Sequence, residues 1–250
     1  MGAVVKVNSA VIVISFVVLL ISFWNRNDLP ETINAVTELL DEPRQIRTRA
    51  GTFYANYKDV DYRVEPEYEY DLHGLVVSFR HHDGNSRMHF LANDHLNMMD
   101  VCVVWGDSAT SGKLGKINFW NGIFTCNVRT RDDEAWAAFS MQQLSNNHLI
   151  SADEAIRDQV KAIRIGDQIR VRGYLASYSS EAGGKRGTST TRTDTGNGAC
   201  ETVFVEKFEI VKAGRSAWRQ SMWAALLVLL LGLAVHFKRP YRPFRDDDEQ

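Results

Sequence analysis

Three cysteines, seven histidines and a scatter of carboxylates are the groups in this 250-residue chain that could do chemistry. Cys200, His148 and Asp194 supply the residue types of a thiol nucleophile, since a cysteine sulfur needs a base and the base an orienting carboxylate. No local signature of a known nucleophile surrounds them. Cys200 follows the glycine-rich run Thr195-Gly196-Asn197-Gly198-Ala199. That run is predicted to precede a strand, so it lacks the helix N-terminus a phosphate cradle uses. Asp194-Thr195-Gly196 matches the catalytic triplet of aspartic proteases, but in a single copy. A turn scaffold is the default reading. Gly196, Asn197 and Gly198 tolerate positive φ, and Asp194 and Thr195 can bond their own downstream amides. Together with Arg192 they form the expected interaction or structural loop, and no residue is assigned a catalytic role.

His81, His82, His89 and His95 lie within 15 residues, beside Asp83, Asp94 and Asp100. Such density could ligate zinc or another divalent metal. No pair has the helical i, i+4 spacing of H-E-x-x-H, and no thiolate sits at finger spacing, so a solvated histidine-rich loop is the preferred reading and no metal or cofactor is expected. Among the cysteines, Cys102 and Cys126 fall on adjacent predicted strands, and Cys200 follows the glycine loop. A Cys102–Cys126 disulfide is therefore the expected pairing if the domain reaches an oxidising compartment.

The elements that must position these groups are strand-rich. A short helix is predicted from Pro30, with Ile33, Val36, Leu39 and Leu40 at helical spacing, followed by edge strands or an extended connection over residues 44–70. A firmer strand runs from Asp71 to Phe79, and Val101–Trp105 is a buried-strand run. Asn121-Gly122 predicts a hairpin turn. Ser151 and Glu154 have capping-box spacing ahead of a helix carrying Ile156, Val160 and Ile163. Gln168–Tyr178 alternates as a strand, Ser179–Gly198 is a polar glycine-rich loop, and Thr202–Val211 is a closing strand. The expected fold is mainly β with short helices, a small OB- or SH3-like barrel or a sandwich.

Apolar residues pile up at the two ends. Val7–Trp24 and Gln220–Phe237 are each 18 residues without a charge, close to the length that spans a bilayer. The expected organisation is a short cytoplasmic segment 1–6, a span over 7–24, an exported domain over 25–217, a span over 218–237 and a cytoplasmic tail over 238–250. The four cations of Lys238, Arg239, Arg242 and Arg245 favour that orientation over the opposite one, by a margin of one charge at the second span. A net charge of −2 gives no electrostatic footprint for nucleic acid, and the composition excludes a disordered or disulfide-dense chain.

Four stretches taken in order resemble a family of bacterial membrane-anchored envelope proteins to which no activity is attached. They are Asp100-x4-Trp105-Gly106; Leu144-Ser145-Asn146-Asn147-His148-Leu149-Ile150; Gly166-Asp167 leading to Gly173-Tyr174-Leu175; and Asp194-Thr195-Gly196-Asn197-Gly198-Ala199-Cys200-Glu201. Members often carry Pro where this chain has Ser151. The resemblance covers roughly residues 70–212 and implies a bacterial inner-membrane location with a periplasmic domain. On it, Asp100, Trp105, Asn147, His148, Cys200 and Glu201 are expected to be structural motif residues. The leading functional expectation is a domain that binds or assembles with envelope proteins, or with a second copy of itself. The alternatives are a periplasmic hydrolase using Cys200, His148 and Asp194 or a histidine-bound metal, and a periplasmic ligand sensor.

Overall fold

The computed structural model describes residues 2–82, 94–181, 184–191, 194 and 200–238, with side chains from Val7 onward. It divides into two units, residues 1–28 with 216–250, and residues 29–215.

The first unit contains α1 (Gly2–Trp24) and the closing helix (Ala217–Phe237), both long and apolar enough to cross a membrane. Neither has a polar face that could mark it as an amphipathic surface helix. The two helices pack closely at Gly232, where a side-chain carbon would meet Ile12 at 2.9 Å. Asn8 Nδ2 donates to the Gly232 carbonyl at 3.3 Å, so a polar group in an apolar stretch has a partner on the other helix.

The second unit is mainly β. Its strands are β1 (Arg44–Arg47), β2 (Phe53–Tyr57), β3 (Val60–His81), β4 (Asn97–Val104), β5 (Asn118–Asn121), β6 (Cys126–Arg129), β7 (Leu144–Ile150), β8 (Gln168–Ser180) and β9 (Glu201–Lys212). Its short helices are α2 (Gly106–Thr110), α3 (Asp133–Ala137) and α4 (Glu154–Lys161), which makes the closing helix α5. Seven strands form one mixed sheet, and β5 and β6 form a separate hairpin. Within the large sheet β3 pairs with β4, β4 with β7, β7 with β9 and β9 with β8, and β8 pairs again with β3. Every one of these pairings is antiparallel except β7–β9.

One close approach needs glycine. At Gly173, where the β8–β9 register shifts, a β-carbon would sit 1.9 Å from the Phe204 carbonyl oxygen. The core is built from alternate residues: Val101 and Val103 of β4, Leu149 of β7, Val171 and Leu175 of β8, and Val203 and Val205 of β9 are all buried. Val160 and Ile163, from α4 and the turn after it, and Leu39 pack into it.

Several local expectations are corrected. The segment after Pro30 is not a helix; only Thr37–Leu40 forms a turn of 3₁₀-helix. The Gln168 side chain accepts from the Val36 amide at 2.8 Å and donates to the Asn34 carbonyl at 2.8 Å, and this tertiary grip holds the chain out of helical geometry. The α4 cap is Asp153, whose carboxylate accepts from the Ala155 and Ile156 amides, in place of Ser151. The hairpin pairs Asn121 with Cys126, so its turn spans four residues, with Phe124 at a φ of 57°.

Candidate functional site

The register of the sheet assembles the site. Side chains alternate between the faces of a strand, and β4 pairs Asp100 with His148 and Cys102 with Asn146 of β7. In the parallel pair, His148 faces Thr202, which puts Cys200 on the same face one step before β9 begins. Arg80 and Ser78 of β3 lie opposite Asp100 and Cys102. One face of these strands therefore gathers the site's polar side chains, while the other faces the apolar core, with Ser145, Asn147 and Glu201 as buried polar members. The β5–β6 hairpin covers part of this face: Ser78 Oγ donates to Asn121 Oδ1 at 2.6 Å, and Arg80 Nη1 donates to the Gly122 carbonyl at 3.2 Å.

At the centre is Asp100, with no exposed surface. His148 Nδ1 lies 2.5 Å from Asp100 Oδ1, and His82 Nε2 lies 2.8 Å from Oδ2. Burial pushes the Asp100 carboxyl up, but the bonds from His148 and His82 outweigh it and hold the group well below the usual carboxylate range. Burial likewise pushes His148 down. The Asp100 hydrogen bond and the Cys200 sulfur overcome it and raise His148 to about 9. With Nδ1 committed to Asp100, the other ring nitrogen is the one left to meet Cys200, whose sulfur lines the same cavity and helps to raise His148.

Cys200 is partly exposed and is the free thiol among the described residues. Its sulfur is 3.3 Å from the Phe124 carbonyl and receives Asn146 Nδ2 at 3.4 Å. The Asn146 amide is oriented from behind, because Asn121 Nδ2 donates to its Oδ1 at 3.4 Å. The Phe124 ring packs against both histidines, with centroid separations of 5.8 Å to His148 and 6.3 Å to His82. A cavity of about 340 Å³ opens over the sulfur, and Phe124, His148, Arg186 and Thr202 are among its walls.

The arrangement is a thiol, an imidazole and a buried carboxylate in series, the roles a cysteine nucleophile requires. The orienting carboxylate is Asp100. Asp194, expected in that position, instead accepts from Ser189 Oγ at 2.6 Å, two residues beyond Gly187 on the cavity wall. Arg192, Thr195, Gly196, Asn197 and Gly198 lie outside the described residues, and so does His89. Cys102 and Cys126 are joined by a disulfide, as the strand placement suggested. Trp105 is buried at the start of α2, Asn147 bonds Ser145 Oγ at 2.7 Å on the core side of β7, and buried Glu201 pairs with Asn147 across the parallel strands. Of the histidine cluster, His82 turns inward to Asp100, and no group of metal-ligating side chains converges among the described residues.

Asn146 and Phe124 are site residues to which sequence reasoning gave no role, and His82, weighed there only as a metal ligand, is a partner of Asp100. The available signal was polar side chains at every second position, Asp100 and Cys102, Asn146 and His148, Cys200 and Thr202, in otherwise apolar strands. No protein-family model, curated protein or solved structure matches the chain.

Proposed function

We propose that the chain is a membrane-anchored, thiol-dependent acyl hydrolase or acyl transferase with Cys200 as nucleophile, His148 as acid–base and Asp100 as the carboxylate that orients it. The series Cys200–His148–Asp100 beneath an open cavity carries this reading. In the first step His148 takes the thiol proton of Cys200, which frees the sulfur as the nucleophile. It attacks an acyl carbon, forming an S–C bond as the bond to the leaving group breaks, and His148 gives its proton to that group. Water, losing a proton to His148, then releases the acyl group from the thioester and restores the thiol. Asn146 Nδ2 steadies the sulfur throughout.

The two apolar helices support anchoring in a bilayer. The disulfide supports export of the domain to an oxidising compartment, and with it a periplasmic setting. The sheet is mixed and is not a closed barrel; its strand order, with β7 parallel to β9 and a helix between β7 and β8, supports an OB-like arrangement of the strands. A second reading, docking of an envelope protein, is favoured by Ile123 and Trp120, 64% and 45% exposed in and beside the hairpin turn. Crosslinking from intact membranes through these positions tests it.

The enzyme reading is tested with the full chain in mild detergent and p-nitrophenyl acetate. The expected result is a thioester on Cys200, found by mass spectrometry, and ester turnover lost in Cys200→Ala and His148→Gln. Turnover that survives both substitutions refutes it.

A further inference from the structure

Arg186 is built into the cavity wall. Its backbone is clamped to β8 by reciprocal hydrogen bonds with Tyr178, at 2.8 and 2.9 Å. Its Nε lies 2.9 Å from Asp94 Oδ2, while Asp94 Oδ1 accepts from Tyr178 Oη at 2.7 Å. Both Asp94 oxygens are thus engaged, and the aspartate side chain is only 6% exposed. The Arg186 guanidinium carbon lies over the Phe124 ring, 4.1 Å from its centroid. The carbonyl of that same Phe124 touches the Cys200 sulfur, and its ring also packs against His148. A guanidinium carries five donors in a planar fork, more than one carboxylate edge can use. Arg186 is therefore a pre-set cation in the same wall as the nucleophile, fixed on three sides and 29% exposed on its side chain.

Other features carry less. Buried Arg157 is spent on the carbonyls of Leu96, Ser151 and His95, which makes it a structural clamp for α4. The hollow lined by Arg44, Asp71 and Arg172 also holds Glu69 and Glu206, and its Asp71 is already paired with Arg170 and Arg172. The Trp120 and Ile123 surface has nothing that shows what covers it.

We infer that the substrate of Cys200 bears a carboxylate close to its reactive carbonyl, and that Arg186 receives this carboxylate as a specificity-determining residue. The inference rests on the thiol-nucleophile reading of Cys200. The planar fork matches a carboxylate in bidentate geometry, and the ring of Phe124 leaves the guanidinium no freedom to swing away. A cavity of about 340 Å³ suits a compact acyl donor.

The test compares two alkylating reagents that differ in charge, iodoacetate and iodoacetamide, on the full chain in mild detergent. Cys200 modification is followed by mass spectrometry, and N-acetylcysteine supplies the reference rate ratio at the same pH. A unit charge met at contact distance in a water-filled cavity changes a rate by about fivefold. The iodoacetate-to-iodoacetamide ratio at Cys200 should exceed the reference by about that factor. It should fall to the reference in Arg186→Gln and be largely kept in Arg186→Lys, with melting temperatures compared to confirm folding. A wild-type ratio at or below the reference overturns the inference, and so does a raised ratio unchanged in Arg186→Gln. A Cys200 that reacts with neither reagent overturns it as well, because the cavity then does not open onto the sulfur. The neutral reagent alone reads the nucleophile: its rate should drop in His148→Gln, whatever the ratio does. Failure of the one reading is thereby separated from failure of the other.

Discussion

Replacing Asp100 with asparagine removes the charge from the centre of the site while keeping its volume. In the folded protein His148 titrates at about 9, against an ordinary value of 6.5. A group whose folded value is raised contributes stability that is fully present below its unfolded value and is lost as the pH climbs through its folded value. The full shift corresponds to about 3 kcal/mol, most of it in force at pH 7 and almost none at pH 10. Burial is the largest single effect on His148 and opposes the rise; Asp100, ahead of Cys200, leads the contributions that together outweigh it. Asp100→Asn should therefore cost about 2–3 kcal/mol at pH 7, in line with the loss of one partner from a buried ion pair. By pH 10 the gap from wild type should narrow by roughly the same amount. Urea unfolding of the full chain in mild detergent, followed by tryptophan fluorescence across that range, measures it. Cys200→Ala should retain most of the pH dependence. A gap between wild type and Asp100→Asn that is the same at pH 7 and pH 10 would refute the assignment of the proton to His148.

At the acidic end the sign reverses. The folded value of Asp100 is depressed, so its contribution should be lost as the pH falls below the ordinary carboxylate value of 3.8, a decline that Asp100→Asn should lack in acid unfolding curves. Cys200→Ala should leave melting within about 1 kcal/mol of wild type while abolishing ester turnover; a large melting loss with turnover intact would return Cys200 to a packing role. Breaking the Cys102–Cys126 bridge, 24 residues apart, by serine substitution should cost about 3.5 kcal/mol in the chain-entropy picture, read from urea midpoints. Gly173→Ala puts a carbon against the Phe204 carbonyl and should cost about 3 kcal/mol or more; a variant that melts like wild type would mean that β8 and β9 can separate at that point.

The strands and the disulfide were legible in the sequence because their signals are local. Alternation marked β8, an apolar run marked β4, and two of the three cysteines fell on strands of separate sheets that the disulfide joins. Where a distant group intervenes, local signals mislead. Gln168, more than 130 residues away, holds the segment after Pro30 extended. The Asn121–Cys126 pairing widens a turn that Asn121-Gly122 alone would have made in two residues. The site shows the same division. Cys200 and His148 were visible as residue types, but the choice between Asp194 and Asp100 depends on the β4–β7 register, which no spacing along the chain contains. Proximity in sequence favoured Asp194, whereas strand pairing selected Asp100.

The disulfide has a practical bearing on how such a protein must be handled. Cys126 lies two residues beyond Phe124, and its bridge ties the hairpin to β4 behind the cavity. Cysteine hydrolases are habitually assayed with a reducing agent to keep the nucleophile free. Here a dithiol would act on two kinds of sulfur at once, protecting Cys200 while untethering the loop whose carbonyl and ring sit against it. Screens run under reducing conditions would sample a chain with a slackened cavity wall, and an inactive result from them would say little about the oxidised protein. Protein purified with the Cys102–Cys126 bridge already formed, kept under oxygen exclusion and without thiol reagents, is the form in which a substrate search should begin.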